Sequence, residues 1–188
     1  KNKVRKIAKK HNLVVADRKD SQGICFVGKV ELVDFLKERI PEKEGDIITV
    51  DGKKVGVHKG HQFYTIGQRS GLGIGGTDPY YVVERRPESN EVVVAHDGDE
   101  AMFKKELTAV NVTETIPGNL AKYIGKNVKA RIRYRQPLQE CSISIQKSEV
   151  SSQSDVLVKF DEPQRAVAPG QFIAFYDNDE LIGSGVIR

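Results

Sequence analysis

The sequence predicts a mainly β protein, with a small central β domain, a C-terminal β-barrel and a short helical segment at the N-terminus. Near Gly45 the hydrophobic periodicity changes from helical to mostly period two. After that point, short strand patterns recur between turns rich in Gly, Pro and Asn. Closely spaced short strands of this kind are typical of closed or nearly closed barrels. We predict three parts, which comprise residues 1–27, 28–106 and 107–188.

Two helices are predicted before the strands begin. The first covers residues 3–11, where Val4, Ile7 and Ala8 recur at helical spacing among lysines. The second covers residues 31–39 and is ended by a proline two residues later.

The strands begin with two hairpins. The first pairs residues 47–50 with 55–57 across Asp51-Gly52, a dipeptide typical of two-residue turns. The second pairs residues 80–84 with 91–95. The further predicted strands cover residues 107–112, 127–134, 141–146, 156–160, 171–176 and 181–187.

Composition excludes several classes of protein. The 188 residues include 30 Lys and Arg against 26 Asp and Glu, which gives a formal net charge of +4. No apolar run is long enough to cross a bilayer, and no signal peptide follows the basic N-terminus, so we expect a cytoplasmic protein without membrane contact. Two cysteines are too few for a disulfide scaffold. Because its only methionine is Met102, we expect the chain to be a fragment.

A glycine-rich stretch covers residues 67–76, and Gly71, Gly73 and Gly76 satisfy the pattern G-x-G-x-x-G. That pattern binds a dinucleotide where a strand precedes it and a helix N-terminus follows it. Here the stretch leads into a predicted strand, so we expect a tight loop, from which Arg69 could point a charge at a phosphate.

The four histidines lack the neighbours that a metal site needs. His58 and His61 are three residues apart, but no carboxylate or thiol lies at ligand spacing beside them. We expect no metal site.

The strongest chemical signal is a basic segment, residues 122–139, that holds six cations and no acid. Strand alternation would place Arg131, Arg133 and Arg135 on one face, roughly 6.5–7 Å apart, close to the spacing of successive phosphates. The segment therefore predicts contact with a polyanion backbone, against the alternative of an ordinary polar strand face. Tyr134, on the opposite face, is expected in the core or barrel wall rather than as a base-stacking platform, unless the end of the strand is exposed.

Cys25 lies between a polar loop that carries Arg18 and Lys19 and a short apolar stretch. Such a thiol is either a small hydrophobe or a reactive cysteine whose pKa is lowered by nearby cations, and the residues leave both interpretations open. Cys141 lies inside an alternating strand pattern and is expected to be structural.

Four motifs occur in one order along the chain: Asp20–Phe26, Tyr64–Gly76, Arg133–Gln136 and the segment from Phe160 to Gln171. Together they closely resemble the C-terminal part of the tRNA-specific 2-thiouridylases, also called tRNA 2-thiouridine synthases. An older name of the family is tRNA (5-methylaminomethyl-2-thiouridylate) methyltransferase. The resemblance covers essentially all 188 residues.

The resemblance implies an enzyme that activates the wobble uridine of tRNA with ATP and replaces its 2-oxygen by sulfur. It maps the family's persulfide cysteine onto Cys25, which would accept sulfur from a persulfide-carrying donor protein. It maps the family's tRNA contacts onto Arg133, Tyr134 and Gln171. The charge pattern adds Arg131 and Arg135 to this set.

The resemblance also gives the three parts their roles. Residues 1–27 would be the end of the catalytic domain, residues 28–106 the central β domain and residues 107–188 the tRNA-contacting barrel. In the family, ATP with Mg and a second cysteine, which forms a disulfide with the persulfide cysteine, belong to an N-terminal domain outside this sequence. We therefore expect no cofactor in this chain, no thiolation by it alone, and tRNA rather than DNA as its nucleic-acid partner.

The alternative is a non-catalytic module whose barrel binds RNA through the RNA backbone. In that interpretation Cys25 is inert and the arginines carry the function. The rate at which Cys25 is alkylated at neutral pH separates the two interpretations.

Overall fold

The structure is a computed structural model that describes residues 2–14, 16–17, 36, 38–76, 78–118, 120–147 and 155–188. The chain divides into two compact units, residues 1–41 and residues 42–188. The first contains a short helix, and the second contains a four-stranded sheet and a closed six-stranded barrel. The predicted mainly β fold, with a short helical N-terminal segment, is confirmed.

The helix of the first unit, α1 (Asn2–Lys10), confirms the helix predicted over residues 3–11. It ends before Asn12, whose φ of 50° is the left-handed conformation that commonly follows a helix. Lys9 and Lys10 lie in the last turn, where positive charge interacts favourably with the helix dipole.

The apolar stripe of α1 is not buried as its periodicity suggests, because Val4 and Ile7 are both exposed. Most of the second predicted helix, residues 31–39, lies outside the described residues. No helix in the described part of the chain has the length and apolar character needed to pass through a bilayer.

The sheet of the second unit is built from the two predicted hairpins. Its strands are β1 (Gly45–Thr49), β2 (Lys54–His58), β3 (Tyr80–Arg86) and β4 (Glu91–His96). Their order is β2-β1-β4-β3; β1 pairs antiparallel with β2 and parallel with β4, and β3 pairs antiparallel with β4. The buried core of this sheet is Ile47, Leu72, Val82, Val92 and Val94.

The first hairpin has a longer turn than predicted. A two-residue type I′ turn needs positive φ at both central residues, but of Asp51 and Gly52 only Gly52 has one, at 85°. Instead the Thr49 hydroxyl hydrogen-bonds the Asp51 carboxylate and accepts the Lys53 N–H at 3.1 Å. These side-chain bonds add to two backbone bonds that close the connection between β1 and β2, from the Gly52 N–H to the Thr49 carbonyl and from the Thr49 N–H to the Lys53 carbonyl, both at 2.9 Å.

The barrel contains six antiparallel strands, and every strand predicted for it is present. They are β5 (Phe103–Glu114), β6 (Asn127–Arg131), β7 (Gln139–Gln146), β8 (Asp155–Arg165), β9 (Phe172–Asp177) and β10 (Glu180–Ile187). The strands close in the order β10-β5-β8-β7-β6-β9. The largest fully buried side chains of the barrel core are Phe160, Phe175, Ile143, Ile173, Ile182 and Ile187. The predicted start of the barrel at Leu107 lies within β5, and the division into 28–106 and 107–188 stays a prediction.

Candidate nucleic-acid interface

The basic segment leaves strand geometry earlier than the sequence predicts. Strand β6 ends at Arg131, and residues 132–135 form a turn. The turn forms because the Ile132 N–H donates to Gln136 Oε1 at 3.0 Å and the Gln136 N–H donates to the Arg133 carbonyl at 3.2 Å. The prediction of three guanidinium groups alternating on one strand face is therefore wrong.

Gln136 also attaches this turn to the barrel. Its Nε2 donates to Oε1 of the buried Gln164 at 2.6 Å, and Gln164 Nε2 donates to the Glu162 carbonyl at 2.7 Å. Buried amides that find partners in this way are more rigid than exposed ones, because breaking a bond leaves a desolvated polar group unpaired. The turn therefore has a defined position against β8.

Two of the predicted arginines stack on tyrosine rings. The guanidinium carbon of Arg131 lies 4.8 Å from the ring centroid of Tyr176, and that of Arg135 lies 5.7 Å from the ring centroid of Tyr134. Both distances are within the range of cation–π attraction. Arg131 and Arg135 thus point in directions set by aromatic rings rather than by a common strand.

Arg133 is held by the corner that Arg165 and Ala166 form at the end of β8. Its Nη2 donates to the carbonyl oxygens of Arg165 at 3.0 Å and Ala166 at 2.8 Å. Arg165 in turn pairs with Asp97 Oδ1 at 2.8 Å and lies over the Tyr81 ring at 5.0 Å. The 165–166 corner therefore links the basic turn to the last two strands of the sheet.

The same corner explains why the first residue of the glycine-rich stretch, Gly67, is a glycine. Ala166 has a φ of 51° and donates its N–H to the Met102 carbonyl at 2.7 Å. A Cβ atom on Gly67, whose φ is 85°, would lie 2.9 Å from the Cβ of Ala166. Glycine at position 67 is thus favoured both by backbone conformation and by the close approach of the corner.

The turn and β9 together form an open cleft of about 710 Å³. The cleft brings together four predicted site residues, which are Arg131, Arg133, Tyr134 and Gln171. Arg135 is not among its lining residues, and none of the described residues that line it is acidic. The Tyr134 side chain is 85% exposed, so the expectation that it lies in the core or barrel wall is wrong.

Two further aromatic residues line this cleft, and the sequence prediction misses both. Phe172 and Tyr176 lie on the outward face of β9 with Ala174, while Ile173 and Phe175 point into the barrel. The alternation of β9 was enough to predict the outward face, since successive strand residues point to opposite sides. The sequence pattern did not predict that this face lies close to the basic turn, because that proximity depends on the pairing of β9 with β6.

The glycine-rich stretch is a loop that enters β3 directly, as expected. Arg69 lines a smaller cleft of about 310 Å³ beside it, together with Asp78 and Tyr80. No helix begins at the described residues between this stretch and β3, and a helix N-terminus is the element that binds pyrophosphate in dinucleotide sites.

The His58 ring is fixed by the backbone rather than by a ligand. His58 is buried, and its Nδ1 accepts the Gly60 N–H at 2.9 Å. Burial lowers the pKa of His58 below its usual value. Within the described ranges, no group of three His, Cys, Asp or Glu side chains is placed to hold a metal ion.

Of the two cysteines, Cys141 lies among the described residues. Cys25, the predicted persulfide cysteine, lies outside the described residues. Cys141 is 1% exposed in the barrel core, and burial raises its pKa to about 12. This environment agrees with the structural role expected for Cys141, since a buried thiol is rarely ionised.

Three family models match the chain. They are the tRNA methyl transferase HUP domain at residues 1–29, the tRNA methyl transferase PRC-barrel domain at residues 33–96 and the aminomethyltransferase beta-barrel domain at residues 119–187. The second match contains all four strands of the sheet, and the third contains every barrel strand except β5.

Curated relatives match over the whole chain. The tRNA-specific 2-thiouridylase MnmA of Hahella chejuensis is 44% identical over 194 residues, which cover 100% of this chain and 51% of that protein. The proteins of the same name from Francisella philomiragia and Pseudomonas aeruginosa are each 42% identical and match 100% of this chain, and 52% and 50% of their own lengths. The chain thus spans about half the length of the curated relatives that it matches. From the ordered domain matches and this identity along its full length, we conclude that the chain belongs to the tRNA-specific 2-thiouridylase family.

Proposed function

We propose that this chain supplies the tRNA-docking surface and the persulfide cysteine of a tRNA-uridine 2-sulfurtransferase that acts in the cytoplasm. The observation that carries the docking role is the cleft between the basic turn and β9. It gathers Arg131, Arg133, Tyr134 and Gln171, and none of the described residues that line it is acidic. Guanidinium groups beside exposed aromatic and amide side chains suit a polyanion that also carries bases.

Docking at this cleft does not need all three guanidiniums on one face. Arg133 is anchored to backbone carbonyls, so its positive charge has a fixed place beside Tyr134. A pre-organised charge loses less side-chain entropy on binding than a free one. The cleft thus supports RNA docking by a different geometry from the strand that the sequence predicted.

The proposed role of Cys25 is sulfur transfer. Its thiolate attacks the terminal sulfur of the donor persulfide, the sulfur–sulfur bond of the donor breaks, and the donor leaves as a thiolate. Cys25 then carries the persulfide. In the complete enzyme, ATP bound with Mg in an N-terminal domain would activate the uridine, and a second cysteine would release the sulfur by forming a disulfide with Cys25.

Persulfide transfer is tested on this chain by mass spectrometry. After exposure to a low-molecular-weight persulfide donor, we expect the intact chain to gain the mass of one sulfur atom and to lose it on reduction. The Cys25→Ser variant should gain none, while Cys141→Ser should gain it as the wild type does. Equal sulfur uptake by wild type and Cys25→Ser would contradict the assignment.

Docking is tested by measuring the Kd for unfractionated tRNA over a series of salt concentrations. We expect binding that weakens as salt rises, because cations that contact phosphates release counterions. Arg131→Gln should reduce the slope by about 1, and Lys54→Gln, which removes a lysine of the sheet paired with Asp46, should leave it unchanged. An absence of tRNA binding at low salt would contradict the docking role.

The second candidate is an RNA-binding barrel module without catalysis. What favours it is that all the described residues that line the cleft belong to barrel strands or their connections. In that case tRNA would bind with the same salt dependence, and the persulfide experiment would give no sulfur on Cys25.

A further inference from the structure

We propose that the cleft receives an unpaired nucleobase of the bound RNA, which lies over Ala174 and stacks on the ring of Phe172. This inference rests on the proposed RNA docking and adds a base contact to the phosphate contacts. It assigns a role to Phe172, which neither the motifs nor the charge pattern singled out.

The outward row of β9 has the shape that such a base needs. Phe172, Ala174 and Tyr176 follow one another on this face, with a small residue between two rings. Their spacing along a strand separates the Cα atoms of Phe172 and Tyr176 by roughly 13 Å. The small side chain of Ala174 leaves space between the two larger residues, and we place the base in this slot, over the methyl group of Ala174.

The two ends of this slot are not equivalent. The Tyr176 ring already carries the guanidinium of Arg131 at 4.8 Å. Phe172 is 67% exposed, although a phenylalanine has no polar group that would gain from contact with water. The ring of Phe172 is thus the accessible stacking surface, and the Arg131–Tyr176 pair forms the opposite wall.

The charged and aromatic side chains of the cleft indicate which class of ligand it binds. Arg131 and Arg133 line the cleft and no described lining residue is acidic, so the cleft favours an anionic ligand. A phosphate backbone alone would make no use of an exposed phenyl ring, and an apolar partner alone would make no use of the guanidiniums. Single-stranded nucleic acids carry both groups and are bound in other proteins by this combination of aromatic and basic side chains.

The volume is consistent with this occupant. A cleft of about 710 Å³ lies within the range of roughly 300–1,000 Å³ found for small-molecule sites. A base-paired nucleotide could not enter, because its planar faces are covered by its neighbours in the helix. The cleft should therefore discriminate between single-stranded and duplex RNA.

The experiment compares Phe172→Ala, Phe172→Trp and the wild type. Kd is measured over a salt series for three probes: unfractionated tRNA, single-stranded hexauridylate and a blunt RNA duplex. Ile145→Ala, which removes an exposed apolar side chain on β7, is the matched control. Because Phe172 is exposed, its variants are expected to unfold at the wild-type temperature, and circular dichroism checks this.

We expect Phe172→Ala to weaken binding of tRNA and hexauridylate by roughly 5- to 150-fold at every salt concentration, with an unchanged salt slope. Phe172→Trp should bind as tightly as wild type, and duplex binding should be the same for all variants. The control Ile145→Ala should match wild type with every probe.

Three results would overturn the base-stacking proposal. The first is that Phe172→Ala binds tRNA with the wild-type Kd. The second is that Phe172→Ala loses the same factor in affinity for the duplex as for single-stranded RNA. The third is that polyglutamate displaces hexauridylate from the chain as effectively as RNA does. The first leaves salt-dependent tRNA docking intact, so it removes only this inference. If the wild-type chain binds no tRNA at any salt concentration, the docking role fails together with it.

Discussion

The guanidinium of Arg133 donates a 2.8 Å hydrogen bond to the carbonyl of Ala166, whose own N–H donates to the Met102 carbonyl at 2.7 Å. A single residue thus joins the basic turn to the short helical turn that precedes β5. Arg165, the neighbour of Ala166, adds contacts to Asp97 and Tyr81. The proposed docking cleft is consequently fixed by residues from the sheet as well as the barrel.

Arg133→Lys should loosen the turn while preserving its charge. A lysine ammonium is a compact charge that does not reproduce the planar fork of arginine against two carbonyls. We expect the melting temperature to fall by about 2–4 °C and tRNA affinity to drop with an unchanged salt slope. Arg135→Lys is the matched control, because among the described residues Arg135 lies over the ring of Tyr134 and is not held by backbone carbonyls. Equal effects of the two substitutions on stability would contradict the anchoring role of Arg133.

Gly67→Ala should destabilise the chain more than Gly52→Ala. Both glycines have a φ of 85°, so both substitutions place an L side chain at the same unfavourable positive φ. At Gly52 the new Cβ meets no atom within 4 Å, whereas at Gly67 it approaches the Cβ of Ala166 to 2.9 Å. Overpacking of this kind costs about 1–3 kcal/mol, which urea unfolding would measure as the difference between the variants.

A compensating change tests whether the contact with Ala166 causes this difference. Ala166→Gly in the Gly67→Ala background removes the methyl group that the new Cβ meets, and glycine accepts the φ of 51° at position 166. Because glycine at a φ of 51° can itself stabilise the chain, we expect Ala166→Gly to add more stability to Gly67→Ala than it adds to the wild type. If it adds no more to Gly67→Ala than to the wild type, the cost arises elsewhere.

Arg165→Ala should lower stability more than Asp97→Asn. The ion pair joins side chains that are 41% and 58% exposed, and pairs of this kind contribute at most about 1 kcal/mol. Asp97→Asn removes only the pair, while Arg165→Ala also removes the stacking on Tyr81. Thermal melts at low and high salt should show that added salt narrows the gap between wild type and Asp97→Asn. A gap that is independent of salt would contradict an electrostatic contribution.

Local patterns in the sequence predicted most of the fold, because strand alternation requires only neighbouring residues. All the barrel strands follow from period-two runs, and so does the outward face of β9. The end of β6 does not, since it depends on Gln136 and on its partner Gln164, 28 positions further along the chain. The sequence pattern predicts a strand through Tyr134, but the hydrogen bonds of the Gln136 side chain turn the chain after Arg131.

In the candidate site, too, some features follow from the sequence and others depend on tertiary contacts. The motifs pointed to Arg133, Tyr134 and Gln171, and the structure brings these residues together in one cleft. Charge alternation predicted that the arginines lie together on one strand face, which is wrong. Arg131 instead stacks on Tyr176 and Arg133 donates to a backbone carbonyl, and both are tertiary contacts that the local pattern does not contain. Phe172 was missed because an exposed phenylalanine becomes informative only when its neighbours across the barrel are known.

Cys141 should resist alkylation in the folded chain. Burial raises its pKa to about 12, so at pH 8 it holds roughly a thousandfold less thiolate than an ordinary cysteine of pKa about 8.5. We expect iodoacetamide to leave Cys141 unmodified in the Cys25→Ser variant until urea unfolds the chain. Rapid labelling of that variant under native conditions would contradict the burial of Cys141. Because Cys141 does not react in the folded chain, labelling of the wild type under native conditions measures the reactivity of Cys25 alone.

His58 should make the stability of the chain depend on pH below neutrality. Burial is the main cause that lowers the pKa of this histidine, and His61 acts in the same direction, while the Asn90 backbone and Asp46 oppose it. The unfolded chain, with a histidine pKa of about 6.5, therefore binds a proton at a pH where folded His58 stays neutral. The free energy of unfolding should fall as pH drops below about 6.5, by at most about 1.4 kcal/mol per pH unit, and level off below the folded pKa.

Urea unfolding at pH 7.5 and pH 5.5 measures this effect of His58. His58→Asn keeps an acceptor for the Gly60 N–H but cannot titrate, so its loss of stability on acidification should be smaller than that of the wild type. His11→Asn replaces an exposed histidine and should keep the wild-type pH dependence. If His58→Asn loses as much stability as the wild type between the two pH values, the neutral state of buried His58 is not the source of the acid sensitivity.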